Sequence, residues 1–271
     1  MSAPPRLFDR ALHRRRLDRA ASRFAEAGFL KTRACEDAID RIATIMRSFP
    51  VAVDLGARDG TFARLLAESP ARDRIGVLIE ADLSGPMLAG RTGPRVVLDD
   101  ERLPFGDASL DLVVSTLSLH WANDLPGVFV QARRALKPDG VFIASILGGG
   151  TLYELRQSLT EAETEIRGGA GPRVSPFADA EDAAGLLQRA GFKLPVADFD
   201  RVSVRYRTPL ALLHDLQQMG ETNVLVDRPG PLNRAVLTRA FEIYGERFAT
   251  SDGGIEATFE VITATGWSPQ A

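Results

Sequence analysis

Short apolar runs that end in acidic or glycine-rich turns alternate with amphipathic stretches through the first half of the chain. VAVDLGARDG reads as a strand entering a glycine turn, and TFARLLAES as the helix that follows it. RIGVLIEADLS repeats the unit as a second strand ending in acids, with Met87 and Leu88 predicted to start the next helix. RVVLDDERLPF gives a third, short strand. LDLVVSTLSLHW gives a fourth, whose near-continuous apolar character suits a parallel strand covered on both faces. VFVQARRAL is predicted helical and stopped by KPDG, where Pro138 and Gly140 break helices, and GVFIASIL is the fifth strand. Five strands alternating with helices predict an α/β fold, a doubly wound parallel sheet with right-handed crossovers.

The two ends depart from this rhythm. A helical stretch from Glu36 to Ser48 precedes the first strand. Before it, LFDRALHRRRLDRAASRF places Leu7, Phe8, Ala11, Leu12, Ala20 and Phe24 near helical spacing, with Arg10, Arg14, Arg15 and Arg16 mostly on the water side. That is a surface helix or a lid over a ligand site; Asp9 and Asp18 argue against a transit peptide. After the fifth strand, YELRQSLTEAETEI and DAEDAAGLLQRAGF read as helices around the loop RGGAGPRVSPF. VADFDRVSVRY and IEATFEVITATGW read as two late strands. Between them, LALLHDLQQMG and LNRAVLTRAFEIYGERF are helical, joined by ETNVLVDRPGP. The expected organisation is therefore N-terminal helices over 1–48, a ligand-binding core over 49–148, and a completion of the sheet with helical insertions over 149–271. Long connections of this kind are candidate substrate-side elements.

Composition narrows the function classes. Hydrophobic residues make up 45% and charged residues 25%, as in an average globular protein, and a net charge of -3 predicts no nucleic-acid partner. A single cysteine, Cys35, excludes an internal disulfide framework. With His13, His120 and His214 it leaves no zinc spacing, so no metal site is predicted and Cys35 reads as an ordinary helix residue. No run approaches the ~20 apolar residues of a membrane-spanning helix, so a soluble, cytoplasmic chain is expected.

Candidate chemistry gathers at the carboxyl ends of the first strands, where crossovers in such sheets diverge and open a crevice. Asp54 ends strand one just before Gly56 and Gly60, Asp82 ends strand two and Asp99 ends strand three. A nucleoside ligand needs this set: a small-residue turn that lets backbone approach, a carboxylate for both ribose hydroxyls, and an acceptor for an exocyclic amine. One acid at a strand end is commonly a turn or cap residue; three in succession are more specific. A dinucleotide-binding dehydrogenase would require G-x-G-x-x-G, which the chain lacks.

Over about its first half the chain resembles the class I methyltransferases of the type-11 group. The resemblance is carried by Asp54-Leu55-Gly56 with Gly60, Asp82-Leu83-Ser84 with Met87-Leu88, Asp99 with Leu103-Pro104-Phe105, the stretch from Phe105 to Trp121, and Leu136-Lys137-Pro138-Asp139-Gly140. It implies a Rossmann-like, mostly parallel seven-stranded sheet whose last strand is antiparallel, and S-adenosylmethionine as cofactor. Gly56 and Gly60 would line its methionine end, Asp82 would hold the ribose and Asp99 would meet the adenine amine. Asp54, Arg58, Leu83, Asp100 and Ser115 complete the cofactor positions that it implies.

LFDRALHRRRLDRAA, SLSLHWANDLPG, TLYELRQSL, GGAGPRVSPFAD and GETN extend the likeness over nearly the whole chain. They are similar to the family that contains the malonyl-carrier-protein methyltransferases of biotin synthesis and the mitochondrial complex I assembly factor NDUFAF-five, with the assembly-factor branch the better match. That branch is associated with hydroxylating an arginine of a complex I subunit. The resemblance implies methyl transfer to a small acid or a protein-bound acceptor; the alternative is an assembly-factor-like arginine hydroxylase or non-catalytic binder. Acyl carrier protein or a complex I subunit is the implied partner, the latter with peripheral attachment to the inner membrane.

One position breaks the family's D-x-G-x-G-x-G turn: Arg58 stands at the middle glycine of Asp54-Leu55-Gly56-Ala57-Arg58-Asp59-Gly60. A side chain there crowds the ligand's approach and sits where glycine accepts a positive φ easily. Three outcomes are open. Arg58 points outward harmlessly, pairs with the cofactor's carboxylate, or fills the methionine pocket and marks a non-methylating relative. Methyl transfer from an activated sulfonium asks mainly for alignment and exclusion of water, so no catalytic triad is expected. Substrate-side candidates are His120 at the mouth of the crevice, Arg173 as a clamp for an acidic group, Tyr153 and Asn223. The structural readings stand beside these: His120 packed against Trp121, and Arg173 stabilising its loop. Hydroxylation would need a further oxidant or metal, for which the sequence offers no evident two-histidine, one-carboxylate set.

Overall fold

The computed structural model describes residues 6–177 and 180–270. Ala178, between the predicted loop and the following helix, and Asp179, the first residue predicted for that helix, lie outside the described residues. Among the described residues seven strands form one sheet: β1 (Phe49–Leu55), β2 (Ile75–Asp82), β3 (Arg95–Val97), β4 (Leu110–Thr116), β5 (Leu136–Leu147), β6 (Lys193–Tyr206) and β7 (Ile255–Trp267). Their order is β3-β2-β1-β4-β5-β7-β6. The pairs from β3 through β5 are parallel, and β7 runs antiparallel to both β5 and β6. The doubly wound, mostly parallel seven-stranded sheet is as expected, including the antiparallel last strand.

Among the described residues eight α-helices accompany it: α1 (Arg10–Ala20), α2 (Phe29–Thr44), α3 (Thr61–Glu68), α4 (Leu125–Ala135), α5 (Tyr153–Arg167), α6 (Ala180–Arg189), α7 (Pro209–Met219) and α8 (Arg234–Phe248). Ile39 and Ile42 of α2 and Phe62 and Leu66 of α3 pack on Ala52, Leu112 and Val114 at one face of the sheet. Phe129 of α4 and Leu187 of α6 pack on Val53, Val113 and Phe142 at the other. Every residue of β4 is buried, as its apolar run requires. A further core joins α5, α7 and α8 through Leu155, Leu212, Leu216, Ile243 and Tyr244 to Phe259 of β7.

Three elements differ from their predicted form; one is β5, which begins at Leu136, so that KPDG, predicted as the stop between helix and strand, lies within the strand. After β2 only a 3-10 turn, Pro86–Leu88, replaces the predicted helix. Gly90 at φ +76°, followed by Gly93 and Pro94, bends the chain straight into β3. The second helix begins at Phe29, seven residues before the predicted Glu36, because Leu30, Lys31, Ala34, Cys35 and Ala38 all face inward. Cys35 is buried in α2 beside the Thr116 hydroxyl, and burial pushes its thiol up to about 11. It is an inert packing residue.

Candidate functional site

The strand order reverses between β1 and β4, which opens the crevice at their carboxyl ends. The turn leaving β1 carries three positive φ angles: +75° at Gly56, +53° at Arg58 and +76° at Gly60. A Cβ on Gly56 would come within 2.3 Å of the Ser118 Cβ, and one on Gly60 within 2.2 Å of the Arg91 guanidinium carbon. Gly56 is required sterically as well as conformationally, whereas at Gly60 the flexible Arg91 side chain can give way and the positive φ is what asks for glycine.

Arg58 points inward, which overturns the harmless outward reading. Its side chain is 2% exposed, and its partner is Asp82 at the end of β2. Asp82 Oδ2 accepts from the Arg58 backbone amide and from Arg58 Nη1, each at 2.9 Å, while Oδ1 accepts from the Ser84 amide at 2.8 Å. Arg58 Nη2 lies 3.4 Å from the Ser118 hydroxyl. A non-glycine residue at positive φ is strained by about 1–2 kcal/mol. The buried charge-assisted pair with Asp82 offsets that strain.

Two further cations complete a pattern that sequence reasoning missed. Lys31 of α2 is buried, and its Nζ donates to the carbonyls of Gly56 and Thr116, both at 2.7 Å. Its signal was a lysine on an otherwise apolar stripe with Ala34, Cys35 and Ala38. Arg10 of α1, expected to face water, instead turns into the crevice mouth. Its Nη2 bonds Asp99 Oδ1 at 2.8 Å and also Asp100, and its Nη1 bonds the Trp121 carbonyl at 3.1 Å. Arg14 and Arg15 are exposed as expected, and Arg16 is half-buried. Helix α1 thus lies across the crevice, N-capped by Asp9, whose Oδ1 accepts from the Leu12 amide at 2.9 Å. Asp9→Ala is expected to lower stability by about 1 kcal/mol and to raise amide exchange in α1 before the rest of the chain, as hydrogen-exchange mass spectrometry would show.

The other residues expected to meet the cofactor stand apart from these ion pairs. Asp54 is wholly buried, neither of its carboxylate oxygens has a hydrogen-bond partner, and burial pushes it up to about 6, partly offset by Lys31. The Ser115 hydroxyl donates to the Leu55 carbonyl at 2.9 Å, so it is spent on joining β4 to β1. Leu83 packs beside Leu17, Phe24 and Met87 beneath α1.

A cavity of about 620 Å³ adjoins the crevice, walled by Leu117, Leu147, Leu155, Leu159, Leu216 and Phe259 and reaching Arg58 and Lys31. The structure brings Arg173 and Asn223 to its lining, but both are engaged in holding loops. Arg173 bonds Glu163 at 2.5 Å and the Gly230 carbonyl at 2.6 Å; Asn223 Nδ2 bonds the carbonyls of Pro172 and Arg173 at 2.7 and 3.0 Å. The hydrogen bond from Arg173 holds the Glu163 carboxyl below its usual range. His120 is buried beside Trp121 and Phe177 and bonds Glu221 at 3.0 Å. Tyr153 is not brought to the cavity: it starts α5 half-exposed, its ring edge-on to Phe248. Glu221, which sequence reasoning did not single out, does line the cavity.

Residues 53–144 match the Methyltransf_11 family, a methyltransferase domain. The human mitochondrial arginine-hydroxylase NDUFAF5 is 40% identical over 268 residues, spanning 96% of this chain and 76% of that protein. The malonyl-[acyl-carrier protein] O-methyltransferase of Methylovorus sp. (strain MP688) is 32% identical over 285 residues, spanning 100% of this chain and 93% of that one. Among solved structures, the YcgJ protein of Bacillus subtilis shares the fold with a TM-score of 0.59 at 14% identity, over 88% of this chain and 99% of that one. Among the described residues no helix is long and apolar enough to cross a membrane.

Proposed function

The chain belongs to the S-adenosylmethionine-dependent methyltransferase family that includes the NDUFAF5 arginine-hydroxylases and the malonyl-[acyl-carrier protein] O-methyltransferases, and on that premise we propose that it transfers a methyl group to an acceptor carried by another protein. The observation that supports this reading is the cavity. At about 620 Å³, with leucine and phenylalanine walls, it exceeds the needs of a small free acid and suits a side chain or acyl arm presented by a carrier. Its inner end at Arg58 and Lys31 meets the turn assigned to the methionine end of the cofactor.

The frame of the crevice fits S-adenosylmethionine: two glycines in the left-handed region, a buried unpartnered carboxylate at Asp54, Asp82 at the end of β2, and Asp99, which lies two residues beyond β3 rather than ending it as expected. Asp82 would hold the ribose and Asp99 with Asp100 the adenine side, after Arg58 and Arg10 release them. When bound, the cofactor supplies an activated methyl group on a sulfonium. The chain's own residues then have little proton chemistry to do. The turn positions the donor, the leucine walls align the acceptor, and Trp121, Phe177 and the docked α1 exclude water.

One observation favours the second reading, an assembly-factor-like arginine hydroxylase or non-catalytic binder: the Asp82 carboxylate is already filled by Arg58. Under that reading the client is a complex I subunit and the protein attaches peripherally to the inner membrane; under the first it is cytoplasmic and serves an acyl carrier protein. The two separate in one assay. The protein with S-adenosylmethionine is incubated with malonyl-acyl carrier protein or with arginine-containing peptides of complex I subunits, followed by intact mass spectrometry. Addition of a methyl group to the carrier-borne acyl chain is the expected result. Stable capture of a complex I peptide without methylation would transfer the case to the second reading.

A further inference from the structure

Helix α1 presents Arg10, His13 and Leu17, spaced three and four residues apart, to the body of the protein. Arg10 sits on Asp99 and Asp100, and Leu17 packs on Gly220, where a Cβ would come within 2.8 Å of its Cδ2. Between them His13 is 1% exposed, its ring 5.2 Å from that of Trp121. Neither of its ring nitrogens has a hydrogen-bond partner among the described residues. Buried polar atoms are nearly always paired, and a charge added to this unpartnered ring would have nothing to receive it.

The surrounding charges oppose protonation further. Arg10 and Arg16 flank His13 on α1, Arg58 approaches from the turn after β1, and His120 from the segment after β4. The carboxylates on these elements are committed elsewhere: Asp99 and Asp100 to Arg10, Asp82 to Arg58, and Glu221, beyond α7, to His120 and Trp121. None accepts a hydrogen bond from His13. Burial first, then Arg58, Arg10, His120 and Arg16, holds the imidazole well below its ordinary value of 6.5. In the docked helix His13 is therefore neutral. A lifted helix returns it to water and to that ordinary value. Docking is thus at full strength above 6.5 and weakens as pH falls below it, because only the lifted state takes up the proton readily.

We propose that His13 is a proton-sensitive latch on α1: neutral, it lets the helix close over the crevice, and protonated, it forces the helix to lift and frees Asp99 and Asp100 from Arg10. The latch goes beyond the transfer reaction itself. That the freed acids then admit a nucleoside rests on the cofactor reading above.

An 11-residue helix is marginal by itself, so lifting opens its amides to exchange. The test measures protection factors by NMR-detected hydrogen exchange in the full chain, which correct for the intrinsic pH dependence of exchange, with Val113 of β4 as reference. From pH 7.5 to pH 5.5 the α1 amides of the wild type should lose about tenfold in protection relative to β4. His13→Gln and His13→Leu take up no proton there and should lose none. Asp54, Asp99, Asp100 and His120 are common to the three proteins, so their titration cancels in the comparison. Equal wild-type protection at the two pH values, or the same loss in the variants, would overturn the latch. Stopped-flow association of S-adenosylhomocysteine keeps the cofactor reading separate. Entry through the lifted state should quicken about tenfold over the same interval in the wild type alone. A working latch with no S-adenosylhomocysteine binding in any of the three proteins would leave the latch standing and remove the cofactor reading. Binding without any pH response in α1 would do the reverse.

Discussion

Replacing Arg58 by glycine is expected to tighten binding of S-adenosylhomocysteine on the order of 10–100-fold, because the ligand's ribose no longer competes with a buried charge-assisted hydrogen bond worth about 1.5–3 kcal/mol. In the structure Asp82 has no exposed surface, and both of its oxygens are taken, one of them twice over by Arg58. The substitution removes only one of these bonds, since the backbone amide of residue 58 remains. It also suits the turn, where φ is +53°. In the absence of ligand, the variant leaves Asp82 without its counter-charge, a destabilising change. Ligand should therefore raise its melting temperature more than that of the wild type. Calorimetric titration with S-adenosylmethionine and S-adenosylhomocysteine reads the affinity directly, with Asp82→Asn as the control that should lose binding. Micromolar binding by the wild type, left unchanged or weakened in Arg58→Gly, would mean that Arg58 moves aside readily or contacts the cofactor itself. The structural pairing would then describe only the free protein.

The frame of this site was legible in sequence because it depends on local rules. Parallel strands buried on both faces read as apolar runs, and the acids that end β1 and β2 stand where the crevice opens. The run IEATFEVITATGW coincides with β7 residue for residue. The occupants of the site were not legible, because each depends on a partner far along the chain. Arg58 turns inward toward Asp82, 24 positions away, Arg10 reaches Asp99 across 89, and Trp121 reaches Glu221 across 100. A helical wheel placed Arg10 on the water side, correct for Arg14 and Arg15, since periodicity records which face is polar and not what that face meets. Lys31 was hidden for a related reason. The helix that carries it begins earlier than its strongest apolar spacing, so its inward direction emerged only once α2 was seen packed on the sheet.

The buried carboxylate next to this cluster gives the second large effect, and its sign follows from burial. Asp54 has no exposed surface and no hydrogen-bond partner on either oxygen. Burial, with Glu80 and Asp82 adding repulsion against the attraction of Lys31 and Arg58, pushes its carboxyl up from 3.8 to about 6. Between those two values the unfolded chain has lost a proton that the native state still holds. The contribution of Asp54 to stability is therefore greatest in acid, falls as pH rises through that window, and stays low above it. The loss amounts to about 3 kcal/mol, or roughly 6–12 °C in melting temperature for a chain of this size. Asp54→Asn keeps the shape of the protonated form. It should melt higher than the wild type at pH 7.5 and about equally at pH 4, with the difference appearing between them. Thermal denaturation of both proteins across this range is the measurement. A lower melting temperature for Asp54→Asn at pH 7.5 would show that the charge is needed to hold Lys31 against the Gly56 and Thr116 carbonyls, and that the turn depends on it. The expected outcome, a more stable variant with weakened cofactor affinity, would identify Asp54 as a group kept at the expense of stability for the ligand it serves.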